Sequence, residues 1–221
     1  MSIISIVYVP EGIAMAADSR LTGRKTRTNE DGSTHVERFT LSDNAQKIVL
    51  LNKCPVGIAS FGAAIIKDKT FSDYIRLFEI NDVCENDTPE AVAEKLHRHG
   101  EDFPETNFYV CGYYEDVPYV YLVNSRGVKR NNVSTEGAVQ YNISWGGETE
   151  ALVKLVNAKP VMDINKRMMP LCDGIDLAEF MVDLTIKYQR FSNVIKTCGG
   201  PIDVLVLTKD AAFWHKHKLY K

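Results

Sequence analysis

The sequence predicts an α+β protein in which two antiparallel sheets are sandwiched between two helical layers. Short β-branched runs are separated by tight polar turns, and the elements follow one another as strands, two helices, strands, two helices, strands. That order lacks the regular βαβα alternation of a parallel doubly wound sheet. At 221 residues the chain is long enough to bury one good core, so one domain over residues 1–221 is expected.

The first run, residues 3–9 (IISIVYV), meets the turn Pro10-Glu11-Gly12 and a second apolar run, Ile13 to Ala17, which together read as a hairpin. Thr22 to Asp43 is polar and rich in Gly and Thr, and reads as a loop. A second strand pair, Lys47 to Leu51 and Val56 to Ser60, is joined by the turn-forming Asn52-Lys53-Cys54-Pro55. Ala63 to Ile80 has helical spacing of its apolar residues, and Thr88-Pro89 opens a second helix, with Thr88 as N-cap and Pro89 at the first helical position. Strands return at Asn107 to Tyr114, Tyr119 to Asn124 and Ala138 to Trp145, where Gly146-Gly147 breaks the run. Helical stripes cover Glu148 to Asn157 and Asp176 to Arg190, and strands over Ile202 to Leu207 and Ala212 to Trp214 close the chain.

Composition narrows the function classes. With 45% apolar and 25% charged residues the chain is an ordinary globular protein. A net charge of -3 gives no electrostatic footprint for nucleic acid or an anionic membrane. The one basic cluster, Arg20 to Arg27, reads as a solvated loop. Five cysteines without CxxC spacing point to a reducing, cytoplasmic setting with neither a zinc site nor a disulfide framework. No run approaches the roughly 18 apolar residues of a membrane span. His97 and His99 stand two apart on a predicted helix and face different ways, and His215 and His217 read as an exposed tail, so no metal is expected. Gly199-Gly200 lacks the Lys-Ser/Thr of a phosphate loop and Gly-x-Ser-x-Gly is absent, so no cofactor and no α/β-hydrolase elbow is expected.

The start of the chain carries more chemistry. Once Met1 is removed, Ser2 presents an amine and a hydroxyl on adjacent carbons, so one residue supplies both nucleophile and base. An α-amine has an ordinary pKa of about 7.7–8.0 and is partly neutral near pH 7. Farther on stand Gly12-Ile13, Ala16-Ala17-Asp18-Ser19-Arg20, Lys47-Ile48-Val49 and the small-residue turn Ser60-Phe61-Gly62-Ala63-Ala64.

In these residues the chain resembles the β-type subunits of the proteasome family, N-terminal-nucleophile hydrolases with a four-layer αββα sandwich. The resemblance is specific over residues 2–64 and architectural afterwards. It implies Ser2 as nucleophile in place of threonine, Asp18 and Lys47 as the supporting ion pair, and Gly62 as oxyanion donor. It assigns Leu21, Ser60 and Ala64 to substrate binding. It further implies a homo-oligomeric ring, a peptide or protein substrate, and a separate ATPase unfoldase such as feeds many members. The chain departs from the family at three points. The nucleophile is serine, Gly146-Gly147-Glu148 replaces a Ser-Gly-Ser turn, and Ile195 falls where a supporting aspartate stands if Cys198 is aligned with the family's serine. Two alternatives stay open: a non-catalytic scaffold subunit with Met1 retained, and a small-molecule amidase on the same fold.

Overall fold

The computed structural model describes residues 2–29, 31–159 and 163–219. Strands β1 (Ile3–Val9), β2 (Gly12–Ala17), β3 (Leu21–Thr28), β4 (Thr34–Ser42), β5 (Ile48–Leu50), β6 (Val56–Gly62), β7 (Ile65–Ile66) and β8 (Lys69–Thr70) precede helices α1 (Phe71–Asp82) and α2 (Pro89–His97). Then come β9 (Thr106–Tyr114), β10 (Val117–Asn124), β11 (Gly127–Arg130) and β12 (Asn142–Gly147), helices α3 (Glu150–Val156) and α4 (Leu171–Phe191), and strands β13 (Asp203–Leu207) and β14 (Ala212–Lys216).

Two five-stranded antiparallel sheets form, in the orders β12-β1-β2-β13-β14 and β11-β10-β9-β6-β5. β1 and β2 are buried along their whole length because both faces are covered. Ile4, Ile6 and Tyr8 of β1 face the second sheet with Ile13 and Met15 of β2, while Ile3, Val7 and Val9 face α4 together with Ala14 and Ala16. A strand covered on both sides reads as a continuous apolar run rather than an alternating one. On the far side, α1 and α2 pack on the second sheet through Tyr74, Ile75, Phe78, Val92 and Leu96, against Ile58, Phe108 and Val110. Three apolar layers therefore separate four layers of structure, αββα.

Several expectations need correction. The Thr22–Asp43 segment is no loop: β3 and β4 form a two-stranded ribbon from Leu21↔Ser42 to Thr28↔Thr34, exposed over most of its length. Both faces meet solvent, so no apolar alternation marks it. The first helix starts at Phe71 rather than Ala63, because residues 65–70 form a tight hairpin whose turn residues Lys67 and Asp68 have φ of 46° and 61°. Thr70 caps that helix by accepting from the Asp73 N–H. α4 begins at Leu171, five residues earlier than the stripe suggests, and its first turn carries Gly174 against Val7 and Val9 of β1. Residues 138–141 make only one isolated bridge, Val133↔Val139, and β12 starts at Asn142. Gly146 and Gly147 close β12 rather than break a strand before them. Thr88 and Pro89 stand where expected at the start of α2.

Candidate active site

Ser2 precedes β1 at the end of the most buried strand pair and is itself 4% exposed. Its carbonyl accepts from the Glu148 N–H at 2.8 Å. Gly147 has φ of 99°, and a Cβ there would lie 1.8 Å from the Ser2 carbonyl oxygen. Only glycine fits both the left-handed backbone and that approach. The Gly146-Gly147-Glu148 turn thus grips Ser2 through backbone groups, and supplies no hydroxyl at its first two positions. Met1 lies outside the described residues.

Asp18 follows β2 and is 1% exposed. A buried carboxylate is costly unless its lone pairs are filled, and here four hydrogen bonds fill them. Oδ1 accepts from the Ile3 N–H at 3.0 Å and from Lys47 Nζ at 2.6 Å. Oδ2 accepts from the Arg20 N–H at 3.2 Å and the Gly199 N–H at 3.0 Å. One carboxylate thereby ties together the start of β1, the chain after β2, the Cys198-Gly199-Gly200 turn and Lys47. The Lys47 carbonyl in turn accepts from the Ser60 N–H at 3.0 Å, which fixes β5 against β6 at this end.

Ser2, Lys47, Leu21, Ser60 and Ala64 line one cavity of about 350 Å3. Asp18 lies behind Lys47. Gly62 lines a neighbouring depression instead, with Thr22 and Gly23 of β3 on its opposite side, and Ala63 borders both. Its φ is 108°, and a Cβ would lie 2.2 Å from the Glu105 carbonyl oxygen, so the position requires glycine. Ala63 donates to that carbonyl at 3.1 Å. By the alternation of an antiparallel ladder, Gly62↔Thr106 is then a non-hydrogen-bonded pair, and the Gly62 N–H is directed away from β9.

The sequence reading missed the other wall of the cavity. His217, expected in an exposed tail, is 7% exposed and lines the cavity with Lys218 and Leu219. Its ring stands edge-on to Trp214 at 4.2 Å between centroids, and its Nδ1 accepts from the Leu219 N–H at 3.1 Å. Lys218 is held by Asp203 at both ends: its N–H donates to Asp203 Oδ1 at 2.9 Å, and its ammonium pairs with Oδ2. Trp214 was a weak signal for this wall, whereas the Asp203 partnership is long-range and leaves none. Tyr220 and Lys221 lie outside the described residues.

Two further expectations change. Arg20, placed in a solvated cluster, makes a two-pronged ion pair with Asp43, Nε to Oδ1 at 2.7 Å and Nη2 to Oδ2 at 3.0 Å, and this contact holds the Asp43 carboxyl below its ordinary range. Ile195, aligned with a missing carboxylate, is exposed. Gln189 of α4 anchors that turn instead: its Oε1 accepts from the Thr197 and Cys198 N–H groups at 2.9 and 2.8 Å. Burial, followed by the nearby Asp18 charge, pushes the Cys198 thiol up to about 12, so it stays protonated and is no rival nucleophile. His97 Nδ1 is hydrogen-bonded with the Asn124 carbonyl and His99 lies near Asp82, so the two do not converge. Among the described residues, no group of three or more His, Cys, Asp or Glu side chains is placed to hold a metal. No described helix is long and apolar enough to cross a membrane.

No protein-family model and no curated protein matches the chain. Among solved structures it is similar to an Anbu mutant from Hyphomicrobium sp. strain MC1, with a TM-score of 0.63 and 15% identity over 99% of this chain and 86% of that one. At that identity the likeness speaks to architecture alone, and the architecture shared is the four-layer αββα sandwich.

Proposed function

We propose that the chain is an N-terminal-nucleophile hydrolase of peptide or related amide bonds, with Ser2 as nucleophile after removal of Met1. The observation that carries this reading is the meeting of Ser2 and Lys47 in one cavity, with the lysine held from behind by a fully bonded, buried Asp18. An ammonium fixed beside an α-amine lowers the amine's pKa and favours its basic form.

In this mechanism the Ser2 amine takes the proton from its own Oγ, directly or through a water, as Oγ attacks the amide carbonyl. Charge develops on the carbonyl oxygen, and the Gly62 N–H, which the ladder leaves pointing away from β9, serves as its donor. Such a donor typically lowers the barrier by roughly 3–4 kcal/mol. Collapse of the tetrahedral species breaks the C–N bond, and the amine's proton passes to the leaving nitrogen. Water then adds to the acyl ester on Ser2, the amine accepts its proton, and the carboxylate product departs with Oγ reprotonated. Leu21, Ser60 and Ala64 line the space for the acyl side chain.

The same reading places the chain in a homo-oligomeric ring. The β3–β4 ribbon favours it, since both its edges lie outside any larger sheet and Val36, Phe39 and Leu41 are exposed on it. The test is an intact mass of the protein from its native cell, followed by a panel of peptide and amide substrates. The expected result is loss of Met1, hydrolysis of at least one class, and its abolition in Ser2→Ala. Retention of Met1, or activity that Ser2→Ala leaves unchanged, overturns the mechanism.

A further inference from the structure

The two halves of the candidate site converge on Ser19, which is fully buried. Its N–H donates to the Gly199 carbonyl at 3.0 Å, and its own carbonyl accepts from the Ala45 N–H at 2.9 Å. Gly199 is the residue whose N–H fills Asp18 Oδ2, and Ala45 stands two residues before Lys47. The backbone of Ser19 therefore joins the turn that supports Asp18 to the segment that carries Lys47.

The side chain of Ser19 has a third partner, from the far end of the sequence. Lys218 Nζ donates to Ser19 Oγ at 3.0 Å. Lys218 is itself placed by Asp203, a buried residue of β13 opposite Ala17. Asp203 Oδ1 accepts from the Lys218 N–H at 2.9 Å, and Oδ2 pairs with its ammonium. Backbone and side chain of the lysine are thus fixed to one carboxylate, which aims the ammonium at Ser19.

Stability is a poor reason for this arrangement. Apolar residues of similar volume often match or exceed a buried ion pair, because both charges must leave water. Nor does the pair add net charge to the site, since Asp203 balances Lys218 as Asp18 balances Lys47. What it adds is a directed hydrogen bond of fixed origin onto the residue next to Asp18. The proposed chemistry is sensitive to such a restraint. Lys47 lowers the pKa of the Ser2 amine only while it is held close, and a misplacement of about 1 Å can cost about a hundredfold in rate.

We infer that Lys218, set by Asp203, is a positioning residue of the Ser2 site, acting through Ser19 on the Asp18–Lys47 pair. The inference rests on the proposed function for the reaction it serves, but its first measurement does not require that reaction. A fusion cleaved directly before residue 2 supplies a free α-amine whatever the native processing. Ser19→Ala removes the acceptor and keeps both ion pairs. Lys218→Met combined with Asp203→Asn removes the lysine without changing net charge. Each is compared with the unaltered chain, and circular dichroism with urea unfolding establishes that each is folded.

In a Ser2→Ala background, which keeps the α-amine, competitive labelling with acetic anhydride across pH gives the amine's midpoint. Hydrolysis of the peptide panel by the Ser2 proteins gives kcat and KM. Both variants should move the labelling midpoint up by at least about 0.5 pH unit, towards the ordinary range of about 7.7–8.0. Both should lower kcat about tenfold or more, with KM within about twofold. A midpoint that either variant leaves in place overturns the inference, whatever stability is lost. So does an unchanged kcat in a protein that hydrolyses peptide. If the midpoint moves as expected while no form hydrolyses any peptide, the positioning role stands and the hydrolase reading falls.

Discussion

Lys218 Nζ donates to the hydroxyl of Ser19 at 3.0 Å, which bonds a residue near the end of the chain to the immediate neighbour of Asp18. The two ends of the sequence thus meet behind the cavity, and the behaviour of each buried ion pair can be tested separately.

Removing the carboxylate of Asp18 leaves the Lys47 ammonium buried and the Ile3, Arg20 and Gly199 N–H groups without their acceptor. Breaking a buried pair from one side typically costs about 3–5 kcal/mol. Asp18→Ala should lower stability by that order in urea unfolding. Asp18→Ala combined with Lys47→Met, which removes the stranded charge, should recover part of the loss.

Lys218→Ala strands Asp203 in the same way, with a loss of similar order expected. It also releases the clamp on His217. Trp214 emission should therefore change in the folded state of this variant, while Asp18→Ala should alter it much less.

Gly147→Ala forces a methyl group onto the Ser2 carbonyl and a left-handed backbone onto alanine. Strain of this type costs about 1–3 kcal/mol before any displacement of Ser2. Reduced stability together with loss of any Ser2-dependent hydrolysis is expected. Gly62→Ala meets the Glu105 carbonyl at 2.2 Å and should behave alike, since no flexible side chain there can yield.

Burial lowers the pKa of His217 below its ordinary 6.5, with Asp203 opposing the shift and Lys218 reinforcing it. The folded state then binds fewer protons here than the unfolded chain. The stabilisation from the neutral ring is complete above pH 6.5 and is lost as pH falls towards the folded pKa. Relative to His217→Gln, the His217 protein should lose stability on acidification from pH 7 to 5, by no more than about 1.4 kcal/mol per pH unit. Parallel pH profiles for the two proteins would refute the assignment.

Cys84 and Cys172 are exposed, while Cys54, Cys111 and Cys198 are buried. A thiol reagent at pH 7.5 should modify the first two rapidly and reach the others only on unfolding. Burial pushes Cys54 up to about 11 and Cys198 to about 12, so thiolate is scarce at both. Rapid labelling of Cys198 in the folded protein would reopen the question of the nucleophile.

Much of the sandwich could be read from the chain because its central strands are buried on both faces and appear as apolar runs, as in β1 and β2. Asp18 and Lys47 were legible for a related reason: each stands beside an apolar run, β2 or β5, where a charge is conspicuous. The β3–β4 ribbon was not legible, since a strand wetted on both faces has no reason to alternate. His217 was hidden because its burial depends on Asp203, a partner fourteen residues earlier on another strand, and on Trp214 turning to meet it. Gly174, a weak helix former, concealed the first turn of α4, where packing against Val7 and Val9 outweighed helix propensity.

The ribbon has a thermodynamic consequence of its own. Among the described residues no third strand joins β3 and β4, and a two-stranded ribbon is marginally stable in water. The amides of β3 and β4 should therefore exchange with solvent through local openings far shallower than those that release β1, β2 and β13. In a single copy the ribbon should melt while the sandwich persists. Slow exchange of its amides would require something outside the described fold to cover it, so deuterium uptake at residues 22–41 reads directly whether the chain is alone.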